Sequence, residues 1–255
     1  MSEQVPLGAT TDPAAGRDRT RRPRWPVRTA VGLALLLLLG LGGLGFLRSP
    51  YFAAEHISVQ GAMQLAPERV LRIGGVERGQ NVVTMDTAAT ERRLEADPWI
   101  SSASVTTDLP DTIVVRITER VPVAAVETHL GWEVVAADGV IVATPAKEPR
   151  LPTITSVVPG EDISTLGARA LGAMDDSLRA DVGSLTVGLD GLARLVMSDG
   201  VTVSYGTLDE TTAKAQALAA VLGWADEQGA DVEQIDVSVP GAPTARLADG
   251  ALATP

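Results

Sequence analysis

The chain has 255 residues, a formal net charge of −11 and no cysteine, so it can hold one large or two small domains but neither a disulfide nor a thiolate site. Its 45% hydrophobic content comes from Ala, Val and Leu, since aromatic residues make up only 3%. The two histidines, His56 and His129, are too far apart for a local His-rich metal motif, and nothing in the composition calls for a cofactor.

The charge is unevenly placed. Residues 1–48 carry a net +4, from seven Arg against Glu3, Asp12 and Asp18, while the remainder carries −15. An acidic body is a poor nucleic-acid ligand, because phosphates need positive charge to displace their counterions. The divide falls at residues 29–47, which hold nine Leu and no charge. At 1.5 Å per residue such a helix spans about 28 Å, close to the bilayer hydrocarbon thickness. The run is too long for a signal-peptide core and has no clean Ala-x-Ala behind it, so an uncleaved anchor is expected. Residues 1–28 then read as a disordered basic tail, and their Arg excess places them in the cytoplasm, with residues 48–255 outside. The stretch Gly40–Gly45 formally matches G-x-G-x-x-G, but it follows no strand and lies inside the apolar run, so it is no dinucleotide site.

Residues 52–122 read as β-α-α-β-β. A strand is expected at 55–60 (EHISVQ), ended by Gly61. A helix follows from Pro67 to Gly74-Gly75, and a second from Asp86 or Thr87 to Ala96, closed by Asp97-Pro98. Strands at 99–107 and 112–118 flank the turn Leu109-Pro110-Asp111, and Glu119, Arg120, Val121 and Pro122 lead out of the unit.

Residues 123–247 change to a hairpin pattern. Asp138-Gly139 and Asp199-Gly200 each sit between alternating apolar runs, at 132–137 and 140–143 and at 192–198 and 201–205. Residues 146–160 are Pro-rich and read as loop, and 166–178 as helix. A longer helix is expected from Thr207 to about Trp224, with Thr207 and Glu210 as a capping box and Glu210–Lys214 as an i,i+4 pair. A last strand covers 233–239, and 248–255 reads as a disordered tail. Acidic pairs such as Asp175-Asp176 and Asp226-Glu227 lie in turns or at exposed helix ends, and Ser204 has no G-x-S-x-G context. No nucleophile–base–orienter set emerges, so no enzyme is expected. Glu119, Arg120 and Pro122 are the candidate residues of a junction between the two units.

The ordered set of stretches "ISVQG", "DPWISSASVTTDLPDTIVVRITERVPVA", "AADGVIVAT", "LPTI", "GLARLVMSDGVTVSYG" and "IDVSVPGAPTARL" resembles the bacterial cell-division family FtsQ, also called DivIB. The resemblance implies an α+β fold: one transmembrane helix, an FtsQ-type POTRA domain at 52–122, and a mixed β-domain at 123–247. It implies a bitopic divisome scaffold at the plasma membrane and septum. Such a scaffold links early and late division proteins, binds FtsB and FtsL-like partners, and helps control septal peptidoglycan synthesis, with FtsW, FtsI and FtsK as further partners. The family's partner strand maps onto Val237, Ser238 and Val239, with Arg246 nearby, although Ser238 and Val239 are smaller than the side chains common there. The alternative class is a POTRA-bearing envelope secretion or assembly factor.

Overall fold

The computed structural model describes residues 25–156 and 163–254. The chain divides after Ser49 into an N-terminal part and a larger C-terminal part. The N-terminal part contains helix α1, Trp25–Leu47, which begins before the expected residue 29. The tail expected to be disordered lies, through residue 24, outside the described residues. Within α1 the segment Thr29–Leu47 has a mean hydropathy of 2.4 and every side chain exposed. In water this would forgo roughly 1.5–3 kcal/mol of burial for each of its leucines, whereas in lipid a helix satisfies its own backbone and needs no partner.

The C-terminal part starts with a 3-10 turn at Pro50–Phe52 and then builds two sheets, one at the centre of each of its two units. The first sheet has the order β1-β3-β2, with β1 at His56–Gln60, β2 at Ile100–Asp108 and β3 at Thr112–Glu119. β3 runs parallel to β1 and antiparallel to β2. Helices α2 (Pro67–Gly74) and α3 (Thr87–Glu95) contribute Val70 and Leu94 to a core with Ile100, Ile113, Val115 and Ile117. Pro67 fits the first helical turn, where no amide is needed, and Gly75 closes α2 in the left-handed region at φ 66°. Asp86 caps α3 by accepting the Ala89 amide at 2.9 Å. Gly61 ends β1 at φ 82°, and a Cβ there would lie 2.0 Å from the Ile117 carbonyl oxygen. The outward amides of β2 are not bare. Val105 N–H donates to Glu91 Oε1 at 2.7 Å and Ala103 N–H to Glu95 Oε1 at 3.2 Å, from one face of α3.

The second sheet has ten strands in the order β13-β12-β11-β10-β9-β8-β7-β4-β5-β6. These are β4 (Pro122–Thr128), β5 (Gly131–Ala136), β6 (Ile141–Ala143), β7 (Thr153–Ser156), β8 (Val182–Val187), β9 (Ala193–Met197), β10 (Thr202–Gly206), β11 (Val232–Asp236), β12 (Thr244–Leu247) and β13 (Leu252–Ala253). Both Asp-Gly hairpins are present, β5–β6 and β9–β10. The pairs β4–β7, β7–β8 and β10–β11 are parallel. A parallel pair needs a crossover: α4 (Ile163–Gly172) and α5 (Asp176–Ala180) lie between β7 and β8 in the chain, and α6 (Thr211–Gln228) between β10 and β11. Leu171 and Leu178 join Leu218 and Val221 of α6 over Leu185, Leu195, Tyr205 and Ile235 in a continuous core.

Several expectations are corrected. The helix expected at 166–178 is two helices. Gly172 sits so close to Ala137 that a Cβ would fall 2.5 Å away, and Asp175 then starts α5 by accepting the Leu178 amide at 2.8 Å. The Pro-rich stretch contains β7, which alternation could not reveal in four residues, and β4 and β8 are further strands beyond those expected, β8 turning into β9 through Asp190-Gly191 with Gly191 at φ 74°. Helix α6 begins at Thr211, and Glu210 makes no side-chain cap and stands in the left-handed region at φ 46°. Lys214 pairs with Asp209 instead of Glu210. The last strand expected at 233–239 stops at Asp236, because the Asp236 carboxylate accepts the Ser238 amide at 2.9 Å and turns the chain. Residues 248–254 are not a disordered tail: Asp249-Gly250 makes a further turn, with Gly250 at φ 86°, and Leu252–Ala253 pairs with β12.

Candidate partner-binding site

The junction residues have separate tasks. The Glu119 carboxylate points back into the first unit and accepts the amides of Met63 at 3.1 Å, Gln64 at 2.8 Å and Leu65 at 2.9 Å, which holds the β1–α2 loop. Arg120 connects the units. Its Nη1 donates to the carbonyls of Ile100 at 2.7 Å and Pro98 at 3.0 Å, and its Nε donates to Asp138 Oδ2 at 2.7 Å in the β5–β6 turn. Partial desolvation pushes the Asp138 carboxyl up, but the Arg120 hydrogen bond and the Val140 amide outweigh it and hold the pKa below the usual carboxylate value. Pro122 opens β4, a strand position where a missing amide is tolerated. Sequence reasoning overlooked two junction residues. Asp138 read only as a turn former, and Trp99 only as the start of a strand. Trp99 packs against the core of the first unit and also against the small cluster of Val134, Ala136 and Val142.

The residues mapped to a partner strand do not form an exposed edge. β11 lies inside the sheet, between β10 and β12. Val237 is fully buried, and its amide donates to the Ser204 carbonyl at 3.0 Å. Ser238 is exposed and hydrogen-bonds Asp236, while Val239 is 62% exposed. Arg246 is on β12, two strands from β10, with an exposed side chain opposite Gln234 and Leu252. The segment 237–239 is held from below. Gly206 has φ 76°, and a Cβ there would sit 2.9 Å from the Ser238 Cβ. The loop that follows Gly206 is fixed by Lys214, which is 1% exposed. Its ammonium donates to the Thr207 carbonyl at 2.7 Å and to Asp209 Oδ1 at 2.8 Å, and lies 5.6 Å from the Tyr205 ring centre. The Lys214 and Thr207 hydrogen bonds hold the Asp209 carboxyl below its usual range. Burial pushes the Tyr205 phenol up to about 12, so it stays neutral and donates to the Thr211 carbonyl. No sequence signal announced this buried lysine, since spacing alone favoured Glu210 as its partner.

A three-stranded sheet with two helices, followed by a larger mixed sheet and preceded by one helix long and apolar enough to cross a membrane, defines the class as a two-domain α+β protein with a candidate membrane span. Two family models match, "POTRA domain, FtsQ-type" over residues 52–120 and "Cell division protein FtsQ/DivIB, C-terminal" over residues 124–238. The cell division protein FtsQ of Streptomyces coelicolor is 31% identical, over 92% of this chain and 95% of its own. FtsQ of Mycobacteroides abscessus is 30% identical, over 85% and 68%, and FtsQ of Corynebacterium glutamicum 27%, over 77% and 90%. Among solved structures, the major extracytoplasmic domain of the division protein DivIB from Geobacillus stearothermophilus matches at 14% identity and a TM-score of 0.33, covering 43% of this chain and 97% of that one. The chain belongs to the FtsQ/DivIB family of bacterial cell-division proteins.

Proposed function

We propose that the chain is a non-enzymatic, single-pass scaffold of the divisome, with its N-terminus in the cytoplasm and the part from Pro50 onward outside. It binds FtsB and FtsL-like bitopic proteins and through them helps control septal peptidoglycan synthesis, with FtsW, FtsI and FtsK as further contacts. The observation that carries this reading is the match of both ectodomain units to FtsQ-family domains behind a 19-residue apolar span. The Arg excess before that span supports the orientation. The surface assigned to the partner is the end of the larger sheet. Exposed Val239 and Arg246 make contact there, buried Val237 supports the segment, and Ser238 shapes its turn. Strand addition at that end is supported by the general chemistry of sheet edges, whose unpaired amides and carbonyls accept a further strand.

The test is full-length chain captured with full-length FtsB and FtsL from cell membranes, together with a fluorescent fusion and a C-terminal alkaline phosphatase fusion. Capture, a mid-cell ring and an active phosphatase are expected. Absence of capture, or a uniform envelope signal as for a secretion factor, overturns the scaffold reading, and an inactive phosphatase overturns the topology.

A further inference from the structure

The two ends of the larger sheet are short, three residues in β6 and two in β13. β13 is held differently from its neighbours. Its two residues pair Ala253 with Ala245 and Leu252 with Arg246 on β12. Its hairpin is closed by Leu247 N–H to the Ala251 carbonyl and Gly250 N–H to the Leu247 carbonyl, each at 2.9 Å. Almost no apolar surface backs these bonds, since Leu252 is 75% exposed and Ala253 only half-buried, whereas Ala245 beside it is fully buried. A segment with few buried contacts and solvent-exposed hydrogen bonds opens well before the core does.

The side chains next to β13 are mismatched. Across the open face, Thr202, Gln234, Arg246 and Leu252 stand in register on four successive strands. Arg246 forms no ion pair among the described residues, and both of its cross-strand neighbours are neutral. Opposite-charge pairs across strands stabilise a sheet, whereas Arg against Leu gains nothing from charge. The β2 edge of the first sheet makes a contrast, because there two carboxylates already occupy the outward amides.

We infer that β13 is a displaceable cover on the β12 edge, competing with an incoming extended segment that carries a carboxylate opposite Arg246 and a small apolar residue opposite Ala245. The incoming strand takes over the same outward backbone groups of β12 and places a carboxylate directly opposite Arg246, where the diagonal Asp236 carboxylate is already engaged by Ser238. While β13 is closed, the apparent affinity for that strand falls in proportion to the open fraction, about tenfold if the cover is closed nine-tenths of the time. This rests on the strand-addition reading above and adds its regulation.

The experiment uses the full chain in detergent micelles. Amide hydrogen exchange of the chain alone should be at least about tenfold faster at Leu247 and Ala253 than across β11. Full-length FtsB then serves as the probe for three forms: the parent, a deletion of residues 249–255, and A245C/A253C, whose disulfide locks β13 shut in a chain without other cysteines. The deletion should bind about tenfold tighter than the parent. The oxidised lock should bind more weakly than the parent, with reduction restoring it, and Arg246→Glu should weaken binding to the deletion form. Exchange at Leu247 and Ala253 as slow as across β11 overturns the cover. So do equal affinities for the parent, the deletion and the oxidised lock, and in that case the scaffold reading survives because binding persists. If no form binds, the partner reading fails and the exchange result alone decides the cover.

Discussion

Replacing Arg120 with Ala removes three donor contacts at once. The two bonds to the Ile100 and Pro98 carbonyls come from a charged group whose side chain is only 16% exposed. Hydrogen bonds of that kind contribute about 1.5–3 kcal/mol each, but the cationic charge is shared between them, so the pair is taken as about 3 kcal/mol. The Asp138 partner is 47% exposed, which confines the ion pair to about 0–1 kcal/mol. For a folded unit of this size, about 3 kcal/mol lowers the melting temperature by roughly 6–12 °C. Asp138→Asn should cost no more than about 1 kcal/mol, because it leaves both carbonyl contacts in place. The assay is calorimetry of the parent, the two single variants and the double variant, whose cycle isolates the pair term. Loss of the tie between the units should also split one transition into two. A melting temperature unchanged in Arg120→Ala, or an Asp138→Asn effect as large as that of Arg120→Ala, would refute the account. The pH dependence has a definite sign. A carboxylate held below its unfolded value stabilises above that value and loses its contribution as pH falls through the lower folded one. The junction should therefore be indifferent between about pH 6 and 8 and weaken only below about pH 4.

Lys214→Met should destabilise by about 2–3 kcal/mol in urea unfolding, because the Thr207 carbonyl loses its donor while the exposed Asp209 can be rehydrated. Glu91→Ala with Glu95→Ala should bare the amides of Val105 and Ala103 and give concentration-dependent association in sedimentation velocity, whereas the double Gln variant, which keeps an acceptor, should stay as the parent does. Glu119→Ala should cost about 2–4 kcal/mol, with the exchange gain confined to the amides of Met63, Gln64 and Leu65, since one carboxylate serves all three.

Local signals determine this chain's structure where they are self-sufficient. The leucine run needs no tertiary partner to be helical in lipid. Pro67, Asp86 and Gly75 act on their own helix ends, and each Asp-Gly turn joins strands adjacent in sequence. The family resemblance was legible for the same reason, because it rests on the order of such local pieces along one chain. Everything that depends on long-range pairing was decided by the tertiary structure. β7 is a strand because β4 and β8 flank it, and β11 is interior because β12 folds back on it. The alternation over 233–239 suits an interior strand as well as an edge one, so pattern alone could not place Val237 inside and Arg246 near the rim. The weak strand β13 had no apolar alternation to reveal it, since its pairing comes from backbone bonds that any residue can make. Lys214 finds Thr207 and Asp209 rather than Glu210 because the positive φ at Gly206 and Glu210 turns the loop under the helix, a backbone path that charge spacing does not encode.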